Sequence, residues 1–318
     1  MSIDQKTCLV VGAGMAGLTA ARALQQNGWR VTVLDKGRGV GGRLATRRLE
    51  NAKADHGAQY FSARTPEFQQ VVAQLQTAGV VKEYHLANDN HPRYVGVEGM
   101  NAVAKFLAEG LTIHNNERVL KLAGNENEVT VTTEAGNVFT AQKIIITAPA
   151  PQVLELLENS SIGLTDSELT IFNSIEYAPC LAIVAVLNEP TNWPAPGGIR
   201  LENSVVSWIC DNQQKGISPQ KTCVTIHGSP EFSRQNIEAD LNSAAAELLE
   251  AVREWIPAEN ITSQQVHRWR YSLAEKRHFE PFLRLQKPFT MLVGGDGFGI
   301  GNVEGAFQSG LLMAQSLV

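Results

Sequence analysis

An α/β fold of two interleaved domains is predicted for this chain by three observations. The first 35 residues read as strand, glycine turn, helix and strand. The last 30 read again as strand, glycine cluster and helix, so the two ends supply matching pieces of one domain. At 318 residues the chain is too long for a comfortable single core and suits two domains.

The opening segment, KTCLVVGAGMAGLTAARALQQNGWRVTVLDK, carries the most chemistry. Cys8 to Val11 form a continuous apolar run, as a strand buried on both faces should. Leu18, Ala21 and Leu24 recur at helical spacing between Met15 and Asn27, and Gly28 ends that helix. Gly12 permits a tight turn, Gly14 lets the backbone approach a pyrophosphate, and Gly17 lets the helix pack on the strand. Phosphates then rest on the helix-terminal amides around Met15 and Ala16. Asp35 closes the second strand, where a carboxylate can hold both hydroxyls of an unphosphorylated ribose, with Lys36 next to it. The pattern is a Rossmann-like site for an adenosine diphosphate moiety, and it does not separate NAD(P) from FAD.

The next stretch, DKGRGVGGRLATRR, departs from a plain NAD domain, which would continue into another crossover helix. Gly37, Gly39, Gly41 and Gly42 let the backbone fold back over the phosphate site, and Arg43 can make bidentate contacts with a pyrophosphate. Further on, Val129 to Thr133 alternates, Ala135 to Asn137 turns, and Lys143 to Thr147 re-enters the core. At the far end Phe289 to Val293 is a short apolar strand, followed by Gly294, Gly295 and Asp296. Val303, Ala306, Phe307, Gly310, Leu311 and Ala314 then repeat at three and four, giving a helix with one buried stripe.

Composition excludes several classes. Apolar residues make up 43% and charged residues 19%, and the net charge of -5 offers no footprint for nucleic acid. The longest apolar run, Leu181 to Leu187, is too short to span a membrane and reads as a buried strand. The first strand begins almost at once with no basic and apolar leader, from which a cytoplasmic location is expected. Cys8, Cys180, Cys210 and Cys223 are scattered without a C-x-x-C pair, so neither a disulfide framework nor a metal site is expected.

The paired glycine clusters with Arg43 resemble the flavoprotein group of amine oxidases, phytoene desaturases and protoporphyrinogen oxidase. The resemblance implies non-covalent FAD and a p-hydroxybenzoate hydroxylase/amine oxidase-like two-domain architecture. Asp296 would bind a ribityl hydroxyl, Val119 would meet the adenine through its backbone, and Val303 would lie where a helix N-terminus faces the flavin's pyrimidine edge. A discontinuous FAD-binding domain is expected over 1–62, 97–150 and 286–318, and an α+β substrate domain over 63–96 and 151–285.

Within that group ADHGAQYFSA, YAPCLAIVAVL, SVVSWICDNQQKG, VTIHGSPEFS and HRWRYS, in order, resemble the renalase family. That resemblance implies an oxidase of 2- or 6-dihydroNAD(P), with flavin N5 accepting hydride and dioxygen accepting the electrons to give hydrogen peroxide. Aromatisation of the nicotinamide drives the transfer, so no general base is assigned. Candidate substrate contacts are Gln59, Tyr60, Phe61, Arg93, Trp208, His227 and Asn302, with Arg93 meeting the substrate pyrophosphate. Two departures separate the chain from monoamine and polyamine oxidases: no lysine lies in Tyr177 to Leu187, and Asn302 replaces their cage tyrosine. An amine-type flavin oxidase and a non-catalytic binding protein of the same fold, as in Rab GDP-dissociation inhibitors, stay as alternatives.

Overall fold

The computed structural model describes residues 5–86, 91–202 and 204–318. The first of two compact units comprises Met1–Gly42, Ala104–Glu176 and Ala274–Val318. Its centre is the strand Thr7–Val11, paired in parallel with Arg30–Asp35 on one side and Lys143–Ile146 on the other. Thr112–Asn115 extends the first side in parallel, and Met291–Gly294 extends the second. An antiparallel strand, Phe282–Leu285, completes the six. Ile144, Ile145, Ile146, Met291, Leu292 and Val293 have no exposed surface, as strands covered on both faces require.

Two helices of this unit, Met15–Gln26 and Asn302–Gln315, approach unusually closely. A Cβ on Gly310 would stand 2.1 Å from the Ala16 carbonyl oxygen, so the stripe of the last helix needs a glycine there. A separate antiparallel sheet joins Val119–Asn125, Glu128–Thr133 and Val138–Ala141.

The second unit comprises Arg43–Val103 and Tyr177–Leu273. Its five-stranded sheet runs in the order Gly198–Arg200, Val206–Asp211, Cys223–Gly228, Glu176–Leu187, Ile261–Lys276. Period-two alternation gives the sheet two different faces. Leu181, Ile183, Ala185, Ile209, Val224 and Ile226 pack on Phe232, Ala244, Ala245 and Leu248 of the helices Pro230–Asn236 and Leu241–Glu250. The opposite face, through Val184, Val186 and Cys223, is covered by Ala52 and Ala54 of the hairpin Thr46–Leu49/Ala52–Asp55. Beyond the hairpin the same face carries Trp208 and His227, which are direct cross-strand partners.

The units divide the chain at other places than the expected boundaries. Residues 43–62 and 97–103 group with the second unit, because the hairpin is one wall of its core. Residues 151–176 and 274–285 group with the first. There Ser160 accepts from Leu122 N at 2.8 Å, and Phe282–Leu285 is an edge strand of the parallel sheet. Among the described residues no helix is long and apolar enough to cross a membrane.

Candidate functional site

In the first unit the turn after Thr7–Val11 has three glycines with three different reasons. Gly12 has φ +106°, and a Cβ there would stand 2.5 Å from Thr147 Oγ1. A Cβ on Gly17 would stand 1.8 Å from the Gly12 carbonyl oxygen. A Cβ on Gly14 would meet nothing within 4 Å, so the protein keeps space clear there. Gly14 is also the N-cap of its helix and offers no side-chain cap, which leaves the terminal amides near Met15 and Ala16 to an anion.

The second glycine cluster folds back as expected: Gly41 N donates to the Ala13 carbonyl at 2.9 Å. Asp35 braces both loops, accepting from Ala13 N at 2.6 Å and from Gly37 N at 2.7 Å. Each carboxylate oxygen keeps acceptor capacity for a ribose hydroxyl. Lys36 is exposed and donates to Gln152 Oε1 at 3.3 Å, while Val119 opens its strand half-buried. Asp296 is buried after Met291–Gly294, where Gly295 N donates to Ser309 Oγ at 2.8 Å. The last helix starts at Asn302 and Val303 behind Gly301, again without a side-chain cap. Open space at Gly14, two uncapped helix N-termini and two placed carboxylates fit the FAD that the sequence implies.

Arg43 falls in the second unit by its contacts. Its Nη1 donates to the Tyr271 and Ser272 carbonyls at 3.3 Å, and its guanidinium lies 6.0 Å from the Tyr177 ring. The segment 55–60 of this unit is held by a buried network. Asp55 and Lys215 side chains have no exposed surface and pair at 2.7 Å. Asp55 also accepts from Thr46 Oγ1 at 2.6 Å and from Met100 N at 2.8 Å. Its backbone carbonyl takes Gln59 Nε2 at 2.7 Å and Thr225 Oγ1 at 2.8 Å.

On this frame stands a cluster of rings. His56 lies 4.3 Å from His267 and stacks on Trp269 at 5.2 Å, and Trp269 Nε1 donates to the His56 carbonyl at 2.9 Å. Tyr60 meets Trp208 edge-on at 5.7 Å. Two arginines reach Tyr60: Arg200 Nη2 donates to its hydroxyl at 2.6 Å, and the Arg93 guanidinium lies 5.3 Å from its ring. Buried atoms without a hydrogen-bond partner gather here: Gln59 Oε1, Trp208 Nε1, His227 Nε2, His56 Nδ1 and His267 Nε2. Native interiors seldom leave such atoms unpaired, and a polar ligand is one cause.

Of the expected substrate contacts, Gln59, Tyr60, Trp208, His227 and Arg93 come together in this unit. Phe61 is instead a core ring, packed on Phe68 and Tyr94 at 5.7 Å. Asn302 belongs to the first unit and is exposed at φ +57°, a left-handed conformation that asparagine tolerates better than most residues. His56, His267, Arg200 and the Asp55–Lys215 pair were not expected from the sequence.

Burial holds the histidines neutral. It lowers His56 to about 3 and His227 to about 4, and His267 falls to about 4 through burial and the nearby Arg47. For His227 the folded value lies below the unfolded 6.5, so the unfolded chain binds more protons as pH falls through that window. Stability is therefore intact above pH 6.5 and is lost on the way down to about 4. Between pH 7 and pH 5 His227 alone should cost about 2 kcal/mol. Urea unfolding at both pH values should show His227→Gln losing less stability than the parent by that amount, and equal losses would remove the histidine from the account.

Burial also pushes the thiols up, Cys180 and Cys223 to about 12 and Cys210 to about 11, so they stay protonated. Among the described residues no three His, Cys, Asp or Glu side chains form a metal-binding group.

The family of NAD(P)-binding Rossmann-like domains matches residues 10–75, and that of flavin containing amine oxidoreductases matches residues 74–318. Renalase of Mus musculus is 26% identical, with 97% of this chain and 98% of that protein covered. Lysine-specific histone demethylase 1 homolog 3 of Arabidopsis thaliana is 59% identical over 61 residues, 19% of this chain and 4% of that protein. A solved structure of putrescine oxidase bound to putrescine superposes with a TM-score of 0.74 at 15% identity, covering 98% of this chain and 99% of that one.

Proposed function

The chain belongs to the flavin-containing amine oxidoreductases and is an FAD-dependent oxidoreductase, and from that premise we propose that it is a renalase-like oxidase of 2- or 6-dihydroNAD(P). Oxidised NAD(P) and hydrogen peroxide are the products. Bound FAD supplies the two-electron acceptor and the route to dioxygen.

The observation that carries this reading is the neutral, ring-lined cluster of the second unit. His56, His227 and His267 are all held uncharged at neutral pH, and Asp55, the carboxylate beneath them, is consumed by Lys215. Such a surface suits a flat neutral heterocycle that stacks on rings better than an alkylammonium, which needs a carboxylate left open to it. A hydride that leaves as its own ring becomes aromatic needs no base, and the strand Glu176–Leu187 supplies no lysine. What the protein must do is hold the ring flat and keep water out.

Roles follow for individual residues. Met15 and Ala16 serve the FAD pyrophosphate, and Asp35 with Lys36 its ribose. Val119 serves the adenine, Asp296 the ribityl chain, and the helix start at Val303 the flavin's pyrimidine edge. Arg93 and Arg200, which converge on Tyr60, serve the substrate diphosphate.

The test is anaerobic bleaching of the visible flavin spectrum by 2- and 6-dihydroNAD(P), ordinary NADH and a panel of amines. Rapid bleaching by the dihydro isomers alone is expected, with peroxide appearing when air is admitted. Bleaching by an amine instead would overturn the substrate assignment.

A further inference from the structure

Three of the unpartnered atoms in the second unit are complementary in kind. Gln59 uses its Nε2 on the Asp55 and Gly57 carbonyls, at 2.7 and 3.1 Å. Those two bonds fix which way the amide points, because only the nitrogen can donate to carbonyls. Gln59 Oε1 is therefore an acceptor held in place, buried and without a donor. Trp208 Nε1 can only donate, and it too is buried without a partner. His227 Nε2 is the third such atom, directly across the strand pair from Trp208. Tyr60, the residue after Gln59, lies edge-on to Trp208 at 5.7 Å, which ties the three groups to one patch.

A ligand group that satisfies this set offers one N–H and one carbonyl oxygen in a plane, attached to a ring. We propose that Gln59 and Trp208 recognise the primary carboxamide of the nicotinamide ring and determine specificity for it. The carboxamide NH2 donates to Gln59 Oε1. Its oxygen accepts from Trp208 Nε1. A carboxylate in the same place would set an acceptor against Gln59 Oε1 with no proton between them. A methyl ketone would leave Gln59 Oε1 buried and unpaired. This assignment rests on the reading above that the substrate carries a nicotinamide ring.

The experiment compares anaerobic flavin bleaching by the 2- and 6-dihydro forms of NAD, of its 3-acetylpyridine analogue and of its deamido, carboxylate-bearing analogue. The holoprotein is used as parent, as Trp208→Phe and as Gln59→Met, each checked for an intact flavin spectrum. In the parent the second-order rate should fall roughly tenfold for the acetyl compound and roughly a hundredfold for the acid. Trp208→Phe should slow the amide roughly tenfold while keeping the amide-to-acetyl ratio, since the N–H contact to Gln59 survives. Gln59→Met should erase that ratio. The substrate series deletes the same contacts from the ligand side, so the assignment stays testable with the parent alone if a variant fails to fold. Equal rates for the three ring substituents in the parent would overturn the carboxamide assignment while leaving the dihydronicotinamide reading in place. Failure of every dihydro compound to bleach the flavin would bring down both.

Discussion

Replacing Lys215 by methionine should lower the free energy of unfolding by about 3–5 kcal/mol, because it strands Asp55 as an unpaired charge in the interior. Both side chains are without exposed surface, so water cannot take over the missing donor. Asp55 would keep two bonds, from Thr46 Oγ1 and Met100 N, and lose the charged one. In thermal unfolding the loss should read as a fall of about 6 °C. Asp55→Asn combined with Lys215→Met keeps an acceptor for Thr46 and Met100 while removing both charges, and should recover more than half of the loss. A Lys215→Met protein within 1 °C of the parent would show that the pair is not what holds residues 55–60 in place.

Gly14→Val is the second large effect, and its signature is a folded protein without colour. The residue has φ -84° and ψ -174°, an extended conformation open to any side chain, and no atom lies within 4 Å of the added Cβ. The apoprotein should therefore keep its far-ultraviolet spectrum and its melting temperature. The added methyl groups would occupy the space over the helix N-terminus, weakening FAD retention at least roughly a hundredfold, the equivalent of about 2.7 kcal/mol. Gly17→Ala is the contrasting control: its Cβ would collide with the Gly12 carbonyl at 1.8 Å, so it should lose fold and flavin together. A yellow Gly14→Val protein with parental affinity would dismiss this turn as the phosphate site.

The contrast between those two sites also explains what could be read from the sequence. Gly12, Gly14, Gly17 and Asp35 lie within one strand–turn–helix–strand unit, where each residue type answers a local backbone or charge requirement. Gly310 was visible only as part of a helical stripe, since its reason is Ala16, a partner remote in sequence. Asp55 and Lys215 are 160 positions apart, and no periodicity links an acid on a hairpin to a lysine in a turn. His227 could be placed on its strand, yet its companions could not. His267 and Trp269 alternate along Ile261–Lys276, a pattern that shows a shared face without naming the neighbour across from it. At Asn302 a backbone φ of +57° already accounts for an asparagine, so the residue type there does not by itself signal a substrate contact. The domain boundaries shifted for a similar reason: whether residues 43–62 belong to one core or the other depends on where Ala52 and Ala54 are buried.

The parallel sheet of the first unit pairs Leu9 with Ile144, and Ile144 in turn with Met291. On the ribosome, the central strand gains Arg30–Asp35 early on one side, but its other edge waits until well over a hundred further residues have been made. The next strand outward, Lys143–Ile146, has one edge open until Met291–Gly294 is made. Throughout that interval an apolar strand with one open backbone edge is exposed to other nascent chains. Pairings of such long sequence separation also form slowly once they become possible. Yield in a heterologous host should thus depend on translation speed and chaperone supply more than on the stability of the finished molecule.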